Sequence, residues 1–202
     1  MKKFLKKRWP WILGALALLV AVVIALILRN TSSEKATPTL IIETPQKISR
    51  SQTEEFTLDV TISTLGDARY PAMSMSVVFD SSRLEFLGVE EGNLFVLSDE
   101  NTTGQKLPEW SCNVQSSNET GKINIMYLDM TSGKNAFAKI LMAEEDNVVL
   151  RLKFRLRGSV KAGDVLDLTI EDAVFAASDE TQSLAMTRDT LKVKNGKIAI
   201  GE

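Results

Sequence analysis

The sequence predicts an all-β protein: an antiparallel, jelly-roll-like β-sandwich of about nine strands with one short helix, preceded by an N-terminal transmembrane helix. Three observations predict it. Apolar and polar residues alternate over many short runs, Gly, Asp, Asn and Ser punctuate those runs at close intervals, and a single long apolar tract near the start carries no charge.

The apolar tract comes first. Trp11 to Leu28 contains no charged side chain and is fenced by Lys2, Lys3, Lys6, Lys7 and Arg8 in front and Arg29 behind. With Trp9 and Pro10 it is about as long as a hydrocarbon layer of roughly 30 Å requires at 1.5 Å per helical residue. The basic cluster predicts a short cytoplasmic segment over 1–10, an uncleaved signal-anchor over 11–29 and an exported domain beyond it. Leu26-Ile27-Leu28-Arg29-Asn30 lacks a small-x-small cleavage pattern; a cleaved signal peptide is the alternative, and it exports the same domain. Residues 30–38 are small and polar, the composition of a linker. The expected localisation is therefore the cell membrane, single-pass, with a cytoplasmic N-terminus and an extracellular domain over 39–202.

Charge and composition narrow the function. The chain carries 24 basic and 26 acidic residues, a net −2. Six of the basic residues and no acid lie in 1–29, which leaves 18 against 26, a net −8, for the rest. That is the wrong sign for a nucleic-acid binder. Histidine is absent, which removes the usual general base, metal ligand and pH switch, so the chain is predicted not to be an enzyme. The one cysteine, Cys112, allows no intramolecular disulfide and reads as a small buried hydrophobe.

The strands follow in order. Thr39 to Glu43 is a short β candidate. In Glu54 to Ser63, Phe56, Leu58, Val60 and Ile62 point one way and Thr57, Asp59, Thr61 and Ser63 the other. Further strands are predicted at Ala72–Phe79, Leu84–Glu90, Leu94–Leu97, Trp110–Val114, Lys122–Leu128, Val148–Arg157, Val165–Glu171 and Thr190–Ile200. Asn195-Gly196 inside the last is a tight-hairpin signal, so that element reads as two short strands or one bulged one. Between Lys134 and Asp146 the turn formers vanish and Phe137, Ile140 and Leu141 recur at helical spacing, which predicts a short amphipathic helix.

The ordered set resembles the cohesin domain, the module that binds dockerin domains in cellulosomes and related extracellular assemblies. Ala72 to Val89 is similar to the family's third strand, with alternating residues leading to an aromatic, an Asp, a short turn, Leu-Glu and an apolar-Gly-apolar step. Gly121–Ser132 resembles its sixth strand and following turn, Val148–Leu156 its seventh, and Asp189–Ile200 its closing strand. A helix between the sixth and seventh strands is a feature of the second cohesin class. The resemblance implies a dockerin-like partner docked on one sheet face, with calcium held by the dockerin and no metal or other cofactor in this chain.

Parity then selects the outward residues of that face. In the third strand these are Ala72, Ser74, Ser76 and Val78, with Ala72 and Ser74 standing where many family members carry Asn and Asp; in the sixth, Asn124, Met126 and Leu128; in the eighth, Asp167 and Thr169. Asp129 falls near a frequent family acid. Met126 and Leu128 beside Ala72 and Val78 make an apolar centre with a polar rim, the anatomy of an interface; cover by a loop or by the 134–146 helix is the alternative. Arg151, Lys153, Arg155 and Arg157 form a period-two basic ladder on the opposite sheet, either a second site for an acidic polymer or a solvated face whose neighbours, such as Asp59, carry acids.

Nothing has the repeated spacing of a calcium loop. Asn101-Thr102-Thr103 and Asn118-Glu119-Thr120 fit glycosylation acceptors. The expected function is a membrane-tethered extracellular module that captures a dockerin-like protein. The alternatives are a sandwich binding carbohydrate or an envelope polysaccharide, and a structural subunit of a surface assembly.

Overall fold

Alternation decides the strands, because a residue pair that places one apolar and one polar side chain on opposite faces buries surface only at the edge of a layer. The computed structural model describes residues 37–45, 47–51, 54–94, 110–130, 135–139, 147–178 and 184–202. One sheet has the order β12-β1-β3-β10-β6, from Lys192–Lys194, Thr39–Ile42, Phe56–Ile62, Val148–Leu156 and Leu84–Glu91. The facing sheet has the order β2-β13-β11-β5-β8-β7, from Ile48–Ser49, Gly196–Gly201, Val165–Ala176, Ala72–Phe79, Lys122–Leu128 and Ser111–Cys112. A two-residue pairing of β4 (Arg69–Tyr70) with β9 (Phe137–Ala138) closes one end.

The inward rows meet as predicted. Leu58, Val60 and Ile62 of β3 and Leu150, Leu152 and Phe154 of β10 are buried, as are Met73, Met75, Val77 and Phe79 of β5 and Ile123, Ile125 and Tyr127 of β8. Phe56, Phe79, Phe86 and Phe154 pack together at one end of this core, with Phe79–Phe154 and Phe86–Phe154 centroids both 5.6 Å apart. At the other end Trp110, Tyr127, Phe137 and Phe175 form a second ring cluster, with Tyr127–Phe137 at 4.7 Å.

The one helix among the described residues, α1, spans Val114–Thr120, not 134–146. In its place Phe137–Ala138 is a strand, because Phe137 fills the gap between Tyr127 and Phe175; residues 140–146 lie outside the described ones. Asn113 caps α1 by accepting from the Ser116 N–H at 2.9 Å, and Gly121 ends it in the left-handed region at φ 70°. Of the predicted Trp110–Val114 strand only Ser111–Cys112 forms; Leu94 is not in a strand and 95–97 are outside the described residues.

Asn195-Gly196 does not make a hairpin. It carries the chain from one sheet to the other, β12 pairing parallel with β1 and β13 antiparallel with β11. The Asn195 side-chain oxygen Oδ1 accepts from the Ile170 N–H at 2.9 Å beside a bulge in β11, and a Cβ on Gly196 would stand 2.8 Å from Thr44. The two residue types are used here for a reach and a close approach, not for a turn.

Among the described residues no helix is long and apolar enough to cross a membrane. At seven residues α1 is only about 10 Å long. As a correction to the expectation, no described helix supplies the transmembrane span, nor with it the membrane-tethered function, the membrane as a partner or the single-pass localisation. The residues that carried those expectations, 11–29, lie outside the described ones.

The turn from β5 to β6 is tied by Asp80, whose carboxylate accepts from the Ser82 hydroxyl at 2.5 Å and from Arg83 Nε at 2.6 Å. Those bonds, Ser82 first, hold its carboxyl below the ordinary value of 3.8. A carboxyl lowered by folding stabilises above its unfolded value and loses that contribution as pH falls through the folded one. Asp80→Asn is therefore expected to unfold at lower denaturant than the parent at pH 7, with the gap closing as the folded carboxyl is protonated in acid; denaturation midpoints from neutral to acid pH check it.

Candidate protein-docking face

The outward face of the β11-β5-β8 sheet is set by its register. Ala72 stands opposite Leu128, Ser74 opposite Met126, Ser76 opposite Asn124 and Val78 opposite Lys122. On the other side of β5, Val78 faces Thr169, Ser76 faces Asp172, Ser74 faces Val174 and Ala72 faces Ala176. Eight of the nine residues expected on these strands from parity, Ala72, Ser74, Ser76, Val78, Asn124, Met126, Leu128 and Thr169, thus share one continuous surface. Asp167 is exposed on the same side but sits toward β13, where it pairs with Lys197 at 3.4 Å.

Two ends of the face differ. At the polar end the Ser76 hydroxyl donates to the Asn124 side-chain oxygen Oδ1 at 2.8 Å, Lys122 pairs with Glu171 at 2.7 Å, and Arg188 pairs with Asp172 at 2.9 Å. The Glu171 carboxylate also raises the Lys122 ammonium above its ordinary value. At the apolar end Met126 is 51% and Leu128 48% exposed, beside the small Ala72 and Ser74. Among the described residues neither is covered by a loop or by a helix.

Asp129 does not join this surface. It is buried, and its carboxylate accepts from the Asn135 N–H at 3.1 Å. Alternation continues past the strand end, so odd-numbered 129 turns inward behind Tyr127, whose hydroxyl donates to the Asn135 carbonyl at 2.5 Å. Burial, then the Asp129 and Glu91 charges, push that hydroxyl well above its ordinary value, so it stays a donor. The same parity sends Met130 outward at 82% exposure, extending Met126 and Leu128 into a row about 13 Å long at two-residue spacing. The sequence reading missed Met130, although its alternation with Asp129 was visible.

It also missed Asp172, Val174 and Ala176. The bulge between Ile170 and Asp172 shifts β11 by one residue and exchanges its faces, so the odd outward row before it becomes an even one after it.

The basic ladder is a mixed-charge face. Arg151 pairs with Asp59 at 3.0 Å, Lys153 with Glu90 at 2.5 Å, and Arg155 with Glu55 at 2.9 Å and Glu85 at 3.3 Å, while Arg157 Nε donates to the Leu84 carbonyl at 3.3 Å. The acids come from β6, β3 and the segment before β3, across the strands that flank β10. The glycosylation reading of Asn118 fails too, because its amide is engaged: it accepts from the Phe86 N–H at 2.9 Å and donates to the Phe86 carbonyl at 2.7 Å. The Asn101 pattern lies outside the described residues. Among the described residues no group of three or more Cys, Asp or Glu is placed to hold a metal ion.

Residues 43–198 match the family model of the cohesin domain. The chain belongs to the cohesin family. Cohesin domains are non-catalytic binding modules, so this protein is not an enzyme.

Solved cohesins share the fold at low identity. The OlpC cohesin from a type I cohesin–dockerin complex of Clostridium thermocellum is 14% identical, with 85% of this chain and 97% of that one aligned at a TM-score of 0.60. The sixth cohesin of scaffoldin B from Acetivibrio cellulolyticus, in complex with a Cel5 dockerin, is 19% identical over 82% and 99%, at 0.59. A non-cellulosomal cohesin from the archaeon Archaeoglobus fulgidus is 16% identical over 83% and 93%, at 0.51. No curated protein sequence matches the chain.

Proposed function

We propose that this cohesin captures a dockerin-like protein by docking it on the outward face of β5, β8 and β11. One observation carries the reading: Met126 and Leu128 stand half-exposed beside the small Ala72 and Ser74, with hydrogen-bonding and charged groups beyond them. Soluble surfaces seldom align large apolar side chains without a use for them, and an apolar centre inside a polar rim is how interfaces are built. Family membership supports the same class of partner, since several of the similar cohesins were solved bound to dockerins.

Within this face Met126 and Leu128 act as apolar anchors, Ser74, Ser76, Asn124 and Thr169 offer hydrogen bonds, and Ala72 and Val78 supply flat contact. Asp129 leaves the set because it is buried. The charges at the polar end are already paired within the chain, so attraction rests on apolar contact more than on steering.

The test is a titration of the full-length chain against calcium-loaded dockerins, repeated with chelator. Saturable binding that the chelator abolishes is the expected result, because calcium is expected on the dockerin. No binding across a panel of folded dockerins would leave the likeness as one of fold.

A further inference from the structure

Five of the seven methionines lie among the described residues, and they divide sharply. Met73, Met75 and Met186 are at most 2% exposed, with their thioethers in the core. Met126 and Met130 are 51% and 82% exposed, and both lie in the outward row of β8 and its continuation, with Leu128 between them. The oxidant-accessible thioethers among the described residues are therefore concentrated on the docking face.

We infer that Met126 and Met130 are a paired oxidation site, and that their conversion to sulfoxides by a peroxide releases the docked partner. The inference rests on the docking reading above and names a regulation of that same face. In the reaction the thioether sulfur attacks one peroxide oxygen and forms the S–O bond as the O–O bond breaks. The sulfur is oxidised by two electrons, and hydrogen peroxide is reduced to water, with its protons returned to the departing oxygen.

The product is polar where the reactant was apolar. A sulfoxide oxygen pressed into a dry contact loses its hydration without gaining a donor, and both thioethers of the row change together. Leu128 between them holds the strip apolar in the reduced state. Cys112, on the neighbouring β7, does not compete well for the oxidant: it is half-buried, and burial raises its thiol so that little thiolate is present.

The experiment treats the full-length chain with hydrogen peroxide, quenches it, maps the sulfoxides by peptide mass spectrometry and measures dockerin affinity before and after. Expected are sulfoxides at Met126 and Met130 with Met73, Met75 and Met186 unmodified, and an affinity lower by about tenfold or more. Methionine sulfoxide reductases should restore binding. The double variant Met126→Leu, Met130→Leu carries neither thioether, and its own affinity, whatever its value before treatment, should be the same after peroxide.

Unchanged affinity after verified oxidation overturns the inference and leaves the docking face standing. So does an equal loss in the double variant, which would place the damage elsewhere. If the untreated chain binds no dockerin, it is the docking reading that falls, while the peptide map still decides whether these two thioethers are the oxidised ones.

Discussion

Replacing Asn118 by Ala is expected to cost about 2–5 kcal/mol of stability, the larger of the structural effects foreseen for this domain. Among the described residues β6 is the edge strand of its sheet, and the Phe86 N–H and C=O point away from β10, toward no further described strand. Asn118 on α1 supplies what a strand would: its carbonyl oxygen accepts from the Phe86 N–H at 2.9 Å and its amide donates to the Phe86 carbonyl at 2.7 Å. The same amide reaches the Val114 carbonyl at 3.0 Å, so helix and edge share one side chain.

Phe86 is fully buried, so water cannot readily replace either bond. Each backbone group left without a partner costs about 1–3 kcal/mol. In a domain of this size that is a fall in Tm of roughly 5–15 °C, readable by thermal or denaturant unfolding. Asn118→Asp keeps the acceptor and loses the donor, and is expected to fall between parent and Ala variant. An Ala variant within about 0.5 kcal/mol of the parent would show that α1 does not secure this edge.

Met126→Glu is expected to weaken dockerin binding by about 30- to 1000-fold with the fold unchanged. The side chain is half-exposed in the free protein, and its neighbours across the pairing are Ser74 on β5 and Ser111 on β7, so a carboxylate there is solvated until a partner arrives. Docking would then bury a charge among Leu128 and Ala72 with no cation at that end of the face among the described residues, because Lys122 and Arg188 are engaged by Glu171 and Asp172. Truncating or charging a central anchor commonly costs about 2–4 kcal/mol of binding, and that range gives the factor quoted. Val193→Glu, at an exposed apolar position on the edge strand β12 of the other sheet, is the control and should bind as the parent does. Equal affinity of Met126→Glu and the parent would move the docking surface off this face.

Much of the architecture was legible because period-two alternation is a local property. Ala72–Phe79 and Lys122–Leu128 form over the residues expected, and their inward rows are buried as expected. What local pattern could not supply was a partner at long range. Phe137, Ile140 and Leu141 have helical spacing, yet Phe137 is drawn into a strand by rings from β8 and β11. Val114 to Thr120, polar and without apolar periodicity, is helical because Asn113 and Gly121 cap it and Asn118 fastens it to an open edge.

The docking face shows the same division. Sequence parity fixed the outward residues of β5 and β8, but the bulge after Ile170 exchanged the faces of β11, and a bulge is a two-strand event that one strand's sequence does not announce. Arg151, Lys153, Arg155 and Arg157 looked like a positive ladder because their row lies in one strand. The acids that neutralise it, Asp59, Glu55, Glu85 and Glu90, are 60 or more residues away in the chain.

By itself the sequence determined a non-enzymatic, predominantly β domain of the cohesin type and the alternation that aims Met126 and Leu128 at solvent. Each of these follows from residue type and from a period that acts along a single strand. Only the tertiary structure decided that Asp129 is buried while Met130 joins the apolar row, that Asn118 closes an edge, and that the basic ladder is paired. Those outcomes depend on which strands become neighbours, and neighbours are set by the burial of the whole core.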